Sequence, residues 1–167
     1  MNKILRQLIR ETLLTEIEYA GSDIEYRARI EKDSLFQTPK VSVDAIIGSR
    51  RVGKLRLGHV KVRYQKTIAD EVPRCYSDIQ ALESQGMTAN QYWFVDNVEV
   101  ADDLRGMGIG KGIYRAGLEK IRQVPGGPHI VMPANCTGWI GTSQEARRVW
   151  DSIAPEYPHS GRVIYLE

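Results

Sequence analysis

Cysteine is scarce in this chain of 167 residues: Cys75 and Cys136 are the two, far apart and with no CxxC pair. That spacing excludes a disulfide framework and a zinc-cluster pattern, and the expectation is two reduced thiols in a cytoplasmic protein. Histidine is nearly as rare, and His59 and His159 have no ligand-like spacing, so no metal site is expected. No apolar run approaches the ~20 residues of a membrane-spanning helix, and the N-terminus lacks the unbroken apolar stretch of a secretory signal. A surplus of one charge is also missing. Lys plus Arg number 23 against 21 for Asp plus Glu, a net charge of +2, so any charge argument must be local. Internal repeats and low-complexity tracts are absent.

What is present is an ordinary globular composition, 42% hydrophobic and 26% charged, in a length that suits one domain with a real core. Residues 1–20 are expected to hold an amphipathic helix, since Ile4, Leu5, Leu8, Ile9 and Leu13 recur at helical spacing with Arg6, Arg10 and Glu11 on other faces. Strands are expected over 26–31, 41–47 and 54–64, the last two joined by a glycine-bounded hairpin connection over 48–53. A phase slip at Gly58-His59 points to a β-bulge there. A short helix is expected near 77–85, then a strongly apolar strand over 92–100, a glycine-rich turn and a helix over 109–123. A short strand over 129–132, a helix over 142–153 capped by Thr142 or Ser143, and a last strand over 162–166 complete the chain. Antiparallel-type strands followed by strand–helix–strand–helix–strand give an α/β fold with a mixed sheet.

The stretch that carries chemistry is Arg105-Gly106-Met107-Gly108-Ile109-Gly110-Lys111, which opens a helix directly after the apolar strand. Three glycines let a ligand approach the backbone. The first helical N–H groups lack internal partners and carry the positive end of the helix dipole, so the turn is suited to an anion. Arg105 and Lys111 add a full charge at each end. A Walker loop is excluded, because Arg105 stands where its first glycine belongs and Gly112 where its Ser or Thr belongs. The dinucleotide pattern GxGxxG fails in both registers, running into Lys111 or Ile113. What fits is Arg-x-x-Gly-x-Gly, filled by Arg105, Gly108 and Gly110.

On these residues the chain resembles the GNAT superfamily of N-acyltransferases, closely over 98–114 and more loosely from about 41 to about 155. The resemblance implies a single domain over 1–167. Its mixed, mostly antiparallel sheet would have parallel fourth and fifth strands that splay apart, flanked by helices. The acyl-CoA-binding core would be 94–123. It also implies that N–H groups over 105–110 hold the pyrophosphate of acetyl-CoA, and that the backbone at Val98 and Val100 holds the pantetheine arm. The activity implied is transfer of an acetyl group to an amine acceptor of unknown identity. The alternative is a degenerate relative that binds CoA or a polyanion, or docks on a partner, without turnover.

Acetyl transfer needs a group that accepts the amine proton. Asp96 ranks first, in the position where some family members carry a Glu, and Glu99 second. Simple alternation puts Asp96 on the face of Val98 and Val100 with Glu99 opposite, and a bulge would alter that parity. The solvated strand-edge carboxylate is the competing reading for both. Where the family often has a tyrosine acid this chain has Trp150, and Tyr157, a candidate to substitute, reads more readily as a packing residue. Cys136 reads as structural, with His129 the one histidine close in sequence. Arg50, Arg51, Lys54, Arg56, Lys61, Arg63 and Lys66 form a basic stripe, read as a solvated hairpin face rather than a nucleic-acid surface. Leu14-Thr15-Glu16 resembles the Leu/Ile-x-Glu site cut by head-maturation proteases of tailed phages. That implies a removable leader in a phage-encoded protein, against the alternative of a docking helix.

Overall fold

Alternating small and β-branched residues set the sheet's two faces. In strand β2 (Pro39–Ile47), Val41, Val43 and Ala45 are fully buried on one side, and Ser42 and Asp44 take the other. The computed structural model describes residues 23–32, 38–61, 65–138 and 141–167. The amphipathic segment over 1–20, with Leu14-Thr15-Glu16, lies outside the described residues, as do Val62, Arg63 and Tyr64. Strand β1 (Glu25–Lys32) pairs antiparallel with β2, β2 with β3 (Arg50–His59), and β3 with β4 (Gln91–Val100). Strand β4 then pairs in parallel with β5 (His129–Met132), and β6 (His159–Ser160) and β7 (Val163–Leu166) extend the far edge. The result is one seven-stranded, mostly antiparallel sheet in the order β1-β2-β3-β4-β5-β7-β6.

Helices cover both faces. Helix α3 (Ile109–Arg122) and helix α4 (Gln144–Ile153) pack on the face of Val43, Leu55, Leu57 and Trp93, contributing Ile113, Leu118, Ile121, Trp150 and Ile153. On the opposite face α1 (Ile68–Glu71) and α2 (Tyr76–Ser84) cover Ile130, Met132, Val163 and Tyr165 with Ile68, Val72, Ile79 and Leu82. No helix among the described residues is long and apolar enough to cross a membrane.

Three local expectations are corrected, and Tyr157 takes the packing role favoured for it. The hairpin is tighter than the glycine-bounded connection over 48–53, since β3 starts at Arg50 and the turn is Gly48-Ser49, with Gly48 at φ +59°. The bulge is not at Gly58-His59, where pairing with Phe94 and Trp93 continues. Gly58 is needed because the Phe94 ring lies over it, 3.1 Å from where a Cβ would sit. Tyr157 stands half-buried beneath the Arg122 guanidinium, 5.6 Å from ring centre, at the far end of α3 from the glycine turn. Finally, Cys75 and Cys136 are joined as a disulfide, so the expectation of two reduced thiols does not hold. Cys75 precedes α2 and Cys136 lies in the 3-10 turn after β5, both in the core of the second face.

One buried cluster makes stability depend on acidity. Trp93 Nε1–H donates to His129 Nδ1 at 3.2 Å, and His59 stands edge-on to the same indole with ring centres 5.4 Å apart. Burial holds both imidazoles below the ordinary histidine value of 6.5, and the neighbouring His129 and Lys61 charges add to this at His59. The unfolded chain therefore takes up protons first as pH falls below about 6.5. Stability is fully present above that value and declines below it. Urea unfolding is expected to show this decline between about pH 7 and pH 5, and His129→Gln should reduce the slope. An equal slope in the variant would exclude His129 as a source.

Candidate anion-binding groove

Parallel pairing of β4 with β5 runs from Gln91↔His129 to Phe94↔Met132 and stops, while β4 continues to Val100. Beyond Phe94 the strand therefore has β3 on one side and no β5 partner on the other. Within this stretch Arg56 pairs with Asn97 and Leu57 with Val95, which leaves Asp96 as the extra residue of a bulge. The bulge lies on β4, and it resets the phase. Val95 and Val98, three residues apart, both pack on the helix-side core, which plain alternation would forbid.

The chain then turns sharply into α3. Leu104 is buried and anchors the turn. Gly106 and Gly108 adopt φ of +83° and +80°, with nothing within 4 Å of a Cβ position, so conformation rather than crowding calls for glycine at both. Gly112 N–H reaches Gly108 C=O at 3.2 Å, closing the first helical turn. The amides of residues 106–111 find no acceptor among the described residues. A row of unsatisfied N–H groups at a helix start, with alternating signs of φ, is an anion-binding concavity.

Charged pairs brace this turn. Arg50 grips Asp103 through two hydrogen bonds of 2.8 and 2.9 Å, tying the turn to the start of β3 and holding the Asp103 carboxyl below the usual carboxylate range. Arg105 meets Asp102 at 2.8 Å with both side chains exposed. Such a surface pair is weak and opens readily to a competing anion. Across the groove Ser143 caps α4, its Oγ accepting the Ala146 N–H at 3.2 Å. The Glu145 carboxyl is held down by its own amide, with smaller help from Ser143, Arg105 and Arg148.

Between the open end of β4, the glycine turn and α4 lies a groove of about 870 Å³. Val98, Glu99, Val100, Arg105, Gly106 and Gly110 border it, with Arg51, Lys54 and Arg148 on its rim. A second cavity of about 230 Å³ occupies the wedge past the end of β5 and is bordered by Asp96, Ala134, Thr142 and Trp150. Tyr114 borders both. No family model, curated protein or solved structure matches the chain.

The structure collects most of the residues singled out from the sequence. Val98, Val100, Arg105, Gly106 and Gly110 line the groove, whereas Gly108, the N-cap of α3, and Lys111 in its first turn do not. Glu99 lies opposite Lys54 on β3 and accepts a hydrogen bond from Asn97 at 2.7 Å, so it is engaged on the strand surface. Asp96 alone of the two carboxylates reaches the wedge. Within the basic hairpin Arg50 binds Asp103 and Arg51 lies 3.7 Å from Asp44, while Lys54 is the cross-strand neighbour of Glu99. His129 accepts from Trp93 and Cys136 is disulfide-bonded, which leaves no cysteine–histidine nucleophile pair. Tyr114 and Arg148 are additions that sequence reasoning missed, and Thr142 enters as a wall of the wedge rather than as a helix cap. Tyr114 reads as one more core residue at helical spacing, and no sequence signal marks Arg148.

Proposed function

We propose that the chain is an acyl-CoA-dependent N-acyltransferase of the GNAT type, moving an acetyl group from acetyl-CoA to an amine. The observation that supports this reading is the row of amides over 106–111 that find no acceptor among the described residues, at the head of a groove that runs along the part of β4 beyond its pairing with β5. The amides and Arg105 would hold the pyrophosphate, a charge-assisted set of hydrogen bonds. The backbone of β4 at Val98 and Val100 would take the pantetheine arm as a strand takes a partner. The thioester would then lie in the wedge beside Asp96. There the amine nitrogen attacks the carbonyl carbon directly, the oxyanion is held by a β4 N–H near Val98, and Asp96 accepts the amine proton directly or through one water. The C–S bond breaks and CoA leaves as the thiol. Arg51, Lys54 and Arg148 on the rim are cations suited to the remaining phosphate.

The test is release of free CoA thiol over a panel of primary amines and peptides. Asp96→Asn should lower turnover on the order of 10²-fold while leaving acetyl-CoA affinity intact. Equal turnover in the variant would remove Asp96 from the mechanism. A second reading, CoA binding without turnover, is favoured by Trp150. Its ring is buried and its N–H is committed to the Arg162 carbonyl at 2.8 Å, so it supplies no proton to a leaving thiolate. Binding of acetyl-CoA with no thiol release for any amine would support that reading.

A further inference from the structure

Strand β1 ends the sheet with one side unpaired, and most of the devices that blunt such an edge are missing from it. It runs for 8 residues, contains no proline, and keeps unbroken register with β2 from Glu25↔Ile46 to Lys32↔Pro39. No residue of β1 makes a main-chain bond outside that ladder among the described residues. A row of free N–H and C=O groups is thus open to another strand. Near its end Ile30 is 41% exposed, the one large hydrophobic residue so exposed among the described residues. It is paired with fully buried Val41 on β2, so the apolar surface of the core runs out to the edge there. Arg29 and Glu31 flank it on the other face, 2.6 Å apart and both exposed. Arg29 also reaches Asp44 at 2.9 Å, which holds the guanidinium in place at the edge.

We propose that two copies of the chain join through this edge, β1 against β1, antiparallel about a two-fold axis at Ile30. The choice of axis follows from charge. A two-fold axis normal to the sheet sets one residue opposite its own copy, and every other pair must share a face. Axes at Glu25, Arg27, Arg29, Glu31 or Lys32 bring like charges together on the axis itself. An axis at Ala28 opposes Arg27 to Arg29 and Glu25 to Glu31. Axes at Tyr26 and Ile30 are the two that set opposite charges together. Tyr26 is already spent within the chain, its phenol lying over Gly112 of α3, and that register leaves Ile30 in solvent. With Ile30 on the axis, the two isoleucines cover each other and each Arg29 meets Glu31 of the second copy. The sheet then continues across the dimer. This interface is independent of the acyltransferase reading.

Sedimentation equilibrium of the full chain reads the association, with urea unfolding to confirm that each variant is folded. The wild type should dimerise in the micromolar range. Ile30→Lys puts two cations on the axis, and Glu31→Arg sets like charges opposite each other twice per dimer, so each should weaken the dimer about tenfold or more. Arg29→Glu does the same with acids. Mixing the Glu31→Arg and Arg29→Glu chains should restore dimers, because each cationic edge then meets an acidic one. Ile30→Cys supplies a test that needs no charge change. Residues opposed on the axis lie roughly 5 Å apart, and the chain's own cysteines are already joined. Oxidation should therefore link Ile30→Cys chains in pairs far faster than Ser84→Cys chains, which carry an exposed thiol on α2 instead. A wild type that stays monomeric up to millimolar concentration overturns the proposal. So does a dimer that Ile30→Lys and Glu31→Arg leave unchanged, or equal cross-linking of the two cysteine variants.

Discussion

Reduction of the Cys75–Cys136 bond is expected to lower the unfolding free energy by roughly 2–4 kcal/mol. The bond closes a loop with a sequence separation of 61, which contains α2, β4, the glycine turn, α3 and β5. Cross-linking so long a segment removes much of the freedom of the unfolded chain. Both sulfurs sit in the core of the second face, so reduction leaves the thiols buried and changes packing little. Urea unfolding with and without reductant isolates this effect better than Cys75→Ala with Cys136→Ala, which also empties space. Equal midpoints would show that the link contributes nothing. The bond also bears on the wedge, since Pro133 and Ala134, the cap and first residue of the turn that holds Cys136, border it.

Gly108→Asp is expected to weaken acetyl-CoA binding by at least ~10²-fold, and Gly108→Asn by about tenfold less. Gly108 sits at φ +80°, where any side chain brings strain, and Asn and Asp tolerate that region best among the non-glycine residues. The two replacements have the same size and the same conformational demand. The loss they share reads the backbone, and the gap between them reads repulsion of the pyrophosphate at the head of α3. Open space beyond the Cβ position means neither variant should disturb the core. Equal loss in both would place the bound anion elsewhere.

Features governed by local rules were legible in the sequence. The glycine turn is one, because a left-handed backbone at 106 and 108 is a demand that glycine meets residue by residue. Strand β5 was readable from its apolar run, and the Ser143 cap from its hydroxyl ahead of a helical pattern. Features that depend on what lies across the sheet were not. Gly58 signals either a bulge or a ring packed close above, and the second holds because Phe94 on the neighbouring strand lies there. The disulfide joins residues that spacing keeps apart. They meet only because α2 covers the face of β5 and β7. Tyr114 repeats the pattern of Ile113, Gly117, Leu118 and Ile121, all buried on α3, and the cavity it borders is formed by β4, α3 and α4 together.

Isothermal titration of the wild-type chain with acetyl-CoA tests the central claim most directly. A groove headed by unsatisfied amides and lined by an open strand edge should bind it in the micromolar range, with the 106–111 turn as the determinant. Absence of heat up to millimolar acetyl-CoA, in a protein whose unfolding confirms that it is folded, would contradict the assignment of the groove to acyl-CoA.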